Sequence, residues 1–299
     1  MPRILFLSAL LLSVPVFAGT GGRAPAGLLQ VPSGVDTILV AETATATLRQ
    51  FAVRGDHIEQ TDTTYMSIGR NGAGKQRAWD RKTPLGIYFI LEELDTDRLH
   101  DKYGDKAFVL DYPNAWDRYR ERTGDGIWLH GVDKRDPDRP PRDTDGCLAL
   151  PNERINALAA DLAPLTTPVI VVRELAWTAA EAARQQRAQL LDALERWKVS
   201  VEQGNLTAYL ALYADDFKYR DMAHDEWAQW RSQVFAKRNI VALEVQGVAL
   251  IADPEEEGLF LSRFTQRMQT VENTVEITKR LYWRYDNAGN LRIVTEGSG

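Results

Sequence analysis

The sequence predicts two folded domains, a mostly β domain followed by an α+β domain. Short β-rich runs separated by turn residues fill the first half, where only one helix is expected. The second half opens with a long stretch that lacks Gly and Pro and carries apolar residues at helical spacing, and it closes with four β-rich runs. The chain has 299 residues, 44% of them hydrophobic, a length typical of about two domains and a composition that supports a folded core.

The N-terminus has the pattern of a secretory signal peptide. Arg3 precedes an apolar run from Ile4 to Phe17, and Ala18 is the small residue expected at a cleavage site. The run is shorter than the about 20 apolar residues that cross a bilayer, and an uncleaved anchor is the alternative. We therefore expect a signal peptide over residues 1–18, a flexible lead-in over residues 19–34, and a periplasmic mature protein without a membrane span.

The predicted first domain covers residues 35–175. A turn is expected at residues 54–56, a polar glycine loop at residues 70–76 and a helix at residues 152–163. The expected strands are residues 37–40, 45–53, 64–69, 87–91, 107–110, 126–130 and 168–172. Many short strands with one helix are typical of a closed or sandwiched β-fold.

The predicted second domain covers residues 176–299. A helix over residues 178–202 presents apolar residues such as Leu190, Leu194 and Trp197 at helical spacing. Two further helices are expected at residues 206–213 and 225–237, and strands at residues 240–251, 258–270, 274–285 and 291–295. This order predicts helices packed on an antiparallel sheet, which is an α+β domain.

Charge and motif content exclude several functional classes. The net charge of −6 argues against a nucleic-acid partner, which requires a basic face. Residues 69–76 nearly match a phosphate-binding loop, but Gln76 stands where Ser or Thr would hold magnesium. The histidines and the cysteine do not have the spacing of a zinc site. We therefore expect neither a cofactor nor a metal.

The chain has one cysteine, Cys147, which follows Gly146 and lies shortly after His130 and Gly131. A nucleophilic cysteine needs a base, since the thiolate is the reactive form, and His130 is the candidate base. The carbonyl of Gly131 would accept the imidazole N–H and fix the tautomer, and the amides of Gly146 and Cys147 would form an oxyanion hole. These catalytic roles compete with a second interpretation, a buried inert cysteine beside a core histidine.

Residues 127–131 (Ile-Trp-Leu-His-Gly) and 144–148 (Thr-Asp-Gly-Cys-Leu) resemble the signature of the L,D-transpeptidase (YkuD-type) catalytic domain. That signature is a His-Gly pair followed by Ser/Thr-x-Gly-Cys, and the segments at residues 67–75 and 83–88 agree with it. The resemblance implies a β-sandwich whose cysteine attacks a carbonyl in peptidoglycan stem peptides. The bond is the one between the L-centre of a diamino acid and the following D-alanine.

Candidate substrate-binding residues come from the same motifs and from the loop between His130 and Cys147. This loop, residues 133–143, is either a solvated connection or a lid whose arginines meet stem-peptide carboxylates. The candidates are Lys75, Trp128, Arg142, Thr144 and Asp145.

One position departs from the family pattern. Cross-linking members carry Arg two residues after the cysteine, where this chain has Ala149. We therefore favour hydrolysis, in which an L,D-carboxypeptidase trims a tetrapeptide stem to a tripeptide. The alternatives are a transpeptidase that forms cross-links or attaches or releases wall-linked protein, and a non-catalytic peptidoglycan-binding protein.

Trp197 and residues 204–217 resemble the start of a nuclear transport factor 2-like (SnoaL-like) domain. That resemblance implies a cone-shaped domain of a kind that serves as an enzyme, a binding pocket or a dimerisation platform. Dimerisation and glycan binding are the two partner roles open to it in this chain. The two domains in this order resemble a cell-shape L,D-carboxypeptidase group of helical bacteria.

Overall fold

A computed structural model describes residues 23–54, 57–237 and 239–299. The expected signal peptide (residues 1–18) and most of the expected turn at residues 54–56 lie outside the described residues. No helix in the described part of the chain is long and apolar enough to cross a membrane.

Strands dominate the described structure. In chain order they are β1 (Arg23–Pro25), β2 (Leu28–Gln30), β3 (Thr37–Glu42), β4 (Thr47–Arg54), β5 (His57–Tyr65), β6 (Ile68–Gly69), β7 (Gly86–Leu94), β8 (Ala107–Leu110), β9 (Trp128–His130), β10 (Arg142–Thr144), β11 (Leu148–Ala149), β12 (Pro168–Val172), β13 (Trp177–Ala179), β14 (Tyr213–Tyr219), β15 (Met222–Ala223), β16 (Ile240–Ala252), β17 (Leu259–Thr270), β18 (Thr274–Tyr285) and β19 (Leu291–Ser298). The α-helices are α1 (Ala115–Tyr119), α2 (Asn152–Ala159), α3 (Ala180–Glu202), α4 (Leu206–Leu210) and α5 (His224–Lys237), and two 3-10 turns cover Thr96–Arg98 and Asp101–Tyr103.

The first large sheet has eight strands in the order β11-β9-β8-β7-β12-β3-β4-β5. Its central strands β3, β7 and β12 are continuous apolar runs, and they bury side chains on both faces because successive residues point in opposite directions. In β3, for example, Leu39 and Ala41 face one apolar cluster, whereas Ile38 and Val40 face another. The sheet is therefore covered on both sides at its centre.

The second large sheet has seven strands in the order β15-β14-β19-β18-β17-β16-β2. Helix α3 packs on it through Leu190, Leu194 and Trp197, which share one core with Phe264 and Trp283 of the sheet. The mostly β first half and the α+β second half confirm the predicted fold class.

The two large sheets share an apolar core. Ile38 and Phe89 of the first sheet belong to the same buried cluster as Leu261, Tyr282 and Val294 of the second. We call this cluster the inter-sheet core. Through this core the second sheet packs against one face of the first sheet.

A buried ion pair crosses the same boundary. Asp111 accepts a hydrogen bond from the amide of Phe89 at 2.7 Å and pairs with Arg280 of β18. Both side chains are less than a tenth exposed. The carboxylate therefore ties a strand of the first sheet to a strand of the second.

Several sequence predictions are wrong in detail, and the following two share one cause. The expected flexible lead-in, residues 19–34, contains strand β2, which pairs with β16 and buries Leu28 in the inter-sheet core. The expected helix at residues 206–213 ends at Leu210, since Tyr213 starts β14 and pairs in parallel with β19. In both cases the partner strand lies far away along the chain.

Replacing Asp111 with Ala should leave the buried Arg280 guanidinium unpaired and lower the free energy of unfolding by about 3–5 kcal/mol. Urea unfolding of the two proteins measures the difference. The control is Asp192→Ala, which breaks an exposed pair with Arg196 and should cost at most about 0.5 kcal/mol. Equal losses in the two variants would contradict a structural role for the buried pair.

Candidate active site

The edge of the first sheet brings the two signature motifs together. Strands β9 and β11 are parallel neighbours, with Leu129 opposite Leu148 and His130 opposite Ala149. Cys147 directly precedes β11, so this register brings its segment beside the segment of His130. The predicted nucleophile and the predicted base therefore belong to neighbouring segments at one edge of the sheet.

Cys147 is a free cysteine at a partly exposed position. Its sulfur accepts a hydrogen bond from the amide of Trp128 at 3.4 Å and lies 3.4 Å from the carbonyl oxygen of Gly126. Desolvation raises the pKa of the thiol to about 11, although the Trp128 amide and the positive charge of Lys102 act in the opposite direction. The group is therefore a neutral thiol near pH 7 and needs a base to become a nucleophile.

His130 is buried, with 2% of its surface exposed. Its Nδ1 lies 2.5 Å from the carbonyl oxygen of Gly131, and since a carbonyl only accepts, Nδ1 carries the hydrogen. Desolvation lowers the pKa of His130 to about 4, with Arg139 and Lys102 contributing in the same direction. The imidazole is therefore neutral near pH 7, and its Nε2 keeps the lone pair that a base requires.

Asn152, the first residue of α2, holds the loop that follows His130. Its side-chain oxygen accepts hydrogen bonds from the amides of Asp105 (3.1 Å) and Val132 (3.2 Å), and its nitrogen donates to the carbonyl of Val132 (2.7 Å). A Cβ at Gly104 or Gly131 would lie only 2.2 or 2.1 Å from this oxygen. The two glycines therefore form the slot that admits Asn152.

The turn before Cys147 is braced by Thr144. Its hydroxyl accepts a hydrogen bond from the amide of Gly146 (3.1 Å) and donates to the carbonyl of Cys147 (2.8 Å). Gly146 has φ +133°, and a Cβ there would lie 2.8 Å from the carbonyl oxygen of Lys82. Only glycine fits this position without displacing backbone.

The bond from Gly146 to Thr144 corrects part of the predicted oxyanion hole. The Gly146 amide already has an acceptor and is not available to a substrate oxygen. The amide of Cys147 has no acceptor among the described residues. Cys147 is thus the donor that this turn leaves for an oxyanion.

Lys75 does not serve as the predicted substrate-binding cation. Its side chain is 3% exposed and forms an ion pair with Asp80 at 2.8 Å. It also donates a hydrogen bond to the carbonyl of Arg77. The ammonium is already neutralised inside the protein, which leaves it no free charge for a ligand.

The other predicted substrate-binding residues occupy different environments. Thr144 is buried and braces the turn, whereas Asp145 is 65% exposed and lies 3.8 Å from both Arg70 and Arg81. Trp128 is half-buried, and its ring centre lies 4.7 Å from that of Tyr103. Arg142 is exposed on β10.

Arg139 is the arginine of the 133–143 loop that acts electrostatically on the site. It is mostly buried, pairs with Asp143 at 3.4 Å, and its charge lowers the pKa of both His130 and Cys147. The sequence analysis did not single it out from the other basic residues of this loop, because the burial that distinguishes it is visible only in the structure.

Comparisons with known families agree with the motifs. Residues 36–171 match the profile of the L,D-transpeptidase catalytic domain, YkuD. Residues 189–297 match the profile of the Cds6 C-terminal NTF2-like domain. The chain joins an L,D-transpeptidase domain to an NTF2-like domain. Both resemblances stated from the sequence are confirmed.

Solved structures share the whole two-domain fold. Bd1075 from Bdellovibrio bacteriovorus is 23% identical, with a TM-score of 0.74 over 93% of this chain and 98% of that one. The helical cell shape determining protein Pgp2 from Campylobacter jejuni is 23% identical, with a TM-score of 0.73 over 87% of this chain and 91% of that one. No curated protein matches the sequence.

Position 149 of the L,D-transpeptidase domain is closed to a large side chain. Ala149 is 1% exposed, and its backbone exchanges two hydrogen bonds with Ser67, at 2.9 and 2.8 Å. The position usual for Arg in cross-linking members therefore presents no cation here. No group of three or more potential ligands forms a metal site in the described parts of either domain.

The depressed pKa of His130 should make the protein acid-sensitive. Between pH 6.5 and pH 4 the unfolded chain binds a proton at this histidine and the folded chain does not, so stability falls as the pH falls. His130→Asn should reduce the acid-induced loss by about 3 kcal/mol. Urea unfolding at pH 7, 5.5 and 4 measures it, with His224→Asn as the control for losing one imidazole. The same pH dependence in wild type and His130→Asn would contradict a neutral buried imidazole.

Proposed function

We propose that this protein is a periplasmic L,D-carboxypeptidase that trims peptidoglycan tetrapeptide stems to tripeptides. The observation that carries the proposal is the pairing of the strand of His130 with the strand that directly follows Cys147, in an L,D-transpeptidase domain. The name of one structural neighbour, a helical cell shape determining protein, supports a role in wall remodelling and cell shape. The apolar N-terminal run of the sequence supports export.

In the proposed acylation step, Nε2 of His130 takes the proton of Cys147 as Sγ attacks the carbonyl carbon of the L-centre. The amide of Cys147 stabilises the oxyanion of the tetrahedral intermediate. The intermediate collapses as the carbon–nitrogen bond breaks, and His130 returns the proton to the amine of the departing D-alanine. The products of this step are a thioester on Cys147 and free D-alanine.

Deacylation uses the same groups with water as the acceptor. His130 takes a proton from water, whose oxygen attacks the thioester carbonyl. The carbon–sulfur bond breaks, and the sulfur leaves as it regains a proton from His130. The tripeptide departs with a new carboxyl group, and the enzyme returns to its starting state.

The two pKa values favour proton transfer that is coupled to attack. The thiol pKa of about 11 and the imidazole pKa of about 4 differ by about seven pH units. Desolvation acts against both charged forms, a thiolate on Cys147 and an imidazolium on His130. That pair is therefore scarcely populated at rest, and the proton leaves sulfur as the new carbon–sulfur bond forms.

The choice of water over an amine rests on position 149. An arginine that is usual in cross-linking members is replaced by buried Ala149. Cross-linking, and attachment or release of a wall-linked protein, use the same thioester with another acceptor or leaving group. A non-catalytic peptidoglycan-binding protein is the remaining alternative. Alkylation of the thiol at neutral pH would be slow in either case, because the raised pKa makes Cys147 a weak nucleophile, so alkylation rates do not distinguish the two.

Purified enzyme should convert disaccharide-tetrapeptide to disaccharide-tripeptide and D-alanine, as followed by mass spectrometry. Cys147→Ala should abolish turnover, and His130→Ala should slow it about 10²- to 10⁴-fold, because the general base is lost. His224→Ala, a histidine of the NTF2-like domain, is the matched control and should retain activity.

The product pattern separates the alternatives. Dimeric muropeptides as the main product would replace hydrolysis with cross-linking. If wild-type enzyme makes neither tripeptide nor dimers, the enzymatic proposal is wrong.

A further inference from the structure

Trp79 is the most exposed large hydrophobic residue in the described part of the chain, with 95% of its surface accessible. Its φ is +65°, and that of Arg81 is +54°. A left-handed backbone conformation costs a residue other than glycine about 1–2 kcal/mol. Because the Trp79 side chain is exposed, it contributes no hydrophobic stabilisation that would offset this strain. A strained backbone that carries an exposed aromatic side chain points to a functional role.

The loop that carries Trp79 is held in place from within. The carboxylate of Asp80 accepts hydrogen bonds from the ammonium of Lys75 (2.8 Å) and from the amides of Gln76 (2.8 Å), Arg77 (3.0 Å) and Lys82 (3.1 Å). On the other side of Trp79, the amide of Ala78 donates to the hydroxyl of Thr123 at 3.1 Å. Both neighbours of Trp79 are therefore anchored, which fixes the backbone that carries the indole.

The same loop packs against the turn of the candidate nucleophile. The carbonyl oxygen of Lys82 is the atom that a Cβ at Gly146 would meet at 2.8 Å. Arg81 lies 3.8 Å from the carboxylate of Asp145. Trp79 is thus three residues from a backbone contact with Gly146, the residue next to Cys147.

The surroundings of Trp79 are basic in a chain whose net charge is −6. Arg77 and Arg81 are exposed on this short segment, and Lys82 is partly exposed. An indole face binds the C–H face of a pyranose ring, and guanidinium groups pair with carboxylates. An aromatic plane flanked by cations therefore fits a sugar that carries an acidic peptide.

We propose that the loop of residues 76–82 binds a pyranose ring of the glycan from which the stem peptide extends, with the ring stacked on Trp79. The inference rests on the proposed function for its substrate and adds the sugar as a second point of recognition. It makes Trp79 a specificity-determining residue that favours sugar-bearing stem peptides over free peptides.

The kinetic test compares disaccharide-tetrapeptide with the same tetrapeptide lacking sugar. Wild-type kcat/KM should be roughly ten-fold higher for the sugar-bearing substrate. Trp79→Ala should bring the ratio close to one through KM, with kcat unchanged, and Trp79→Tyr should keep most of the preference. Leu165→Ala is the matched control, because Leu165 is also exposed and has φ +61°, and it should keep the full preference.

The binding test does not depend on turnover. Cys147→Ala protein is titrated with the peptide-free disaccharide, and the indole N–H resonances of its eight tryptophans are followed by NMR. One resonance should shift to saturation, and the same resonance should be missing from the spectrum of Cys147→Ala/Trp79→Ala.

The results distinguish failure of the proposed function from failure of the proposed sugar site. An enzyme that cleaves neither substrate would overturn the proposed function, whereas saturable disaccharide binding that requires Trp79 would still support the sugar site. Equal kcat/KM values for the two substrates in wild type, together with no shift of any indole resonance, would overturn the sugar site alone.

Discussion

Burial on both faces of the central strands β3, β7 and β12 is the constraint on which the rest of the structure depends. One face of these strands supports the core next to the candidate active site, and the other face requires the inter-sheet core. A sheet of this kind cannot leave either face in water, since both are continuous apolar surface. The NTF2-like domain therefore contributes to the stability of the L,D-transpeptidase domain, whatever else it binds.

The candidate active site is organised by polar side chains around the reactive groups. Asn152 holds the loop after His130, and Thr144 holds the turn before Cys147, each through hydrogen bonds to backbone. Glycine is required where these side chains or a neighbouring carbonyl approach closely, at Gly131 and Gly146. The two signature motifs, around Gly131 and Gly146, are thus places where segments that are separate in the sequence come into contact.

Sequence alone predicts the elements whose signal is local. The strands at residues 107–110, 168–172 and 274–285 agree with the structure to the residue, because each is an apolar or alternating run bounded by turn residues. Strand β2 was missed because its burial depends on β16, more than 200 residues later in the chain. Lys75 was misassigned for a different reason: its partner Asp80 is only five residues away, but the burial of the pair is not visible in the sequence.

Nothing in the sequence around Asn152 indicates that this residue, at the start of a helix, holds the loop after His130. Its importance follows from two glycines, Gly104 and Gly131, that lie far from it in sequence. The catalytic roles of Cys147 and His130 stay predictions.

The raised pKa of Cys147 has a consequence for the reaction of this thiol with oxidants. Peroxides and disulfides attack thiolates, so a thiol with a pKa of about 11 presents little of the form that they oxidise. A free cysteine with a low pKa would be converted to sulfenic acid or a mixed disulfide between encounters with substrate. Desolvation of the thiol therefore slows its oxidation.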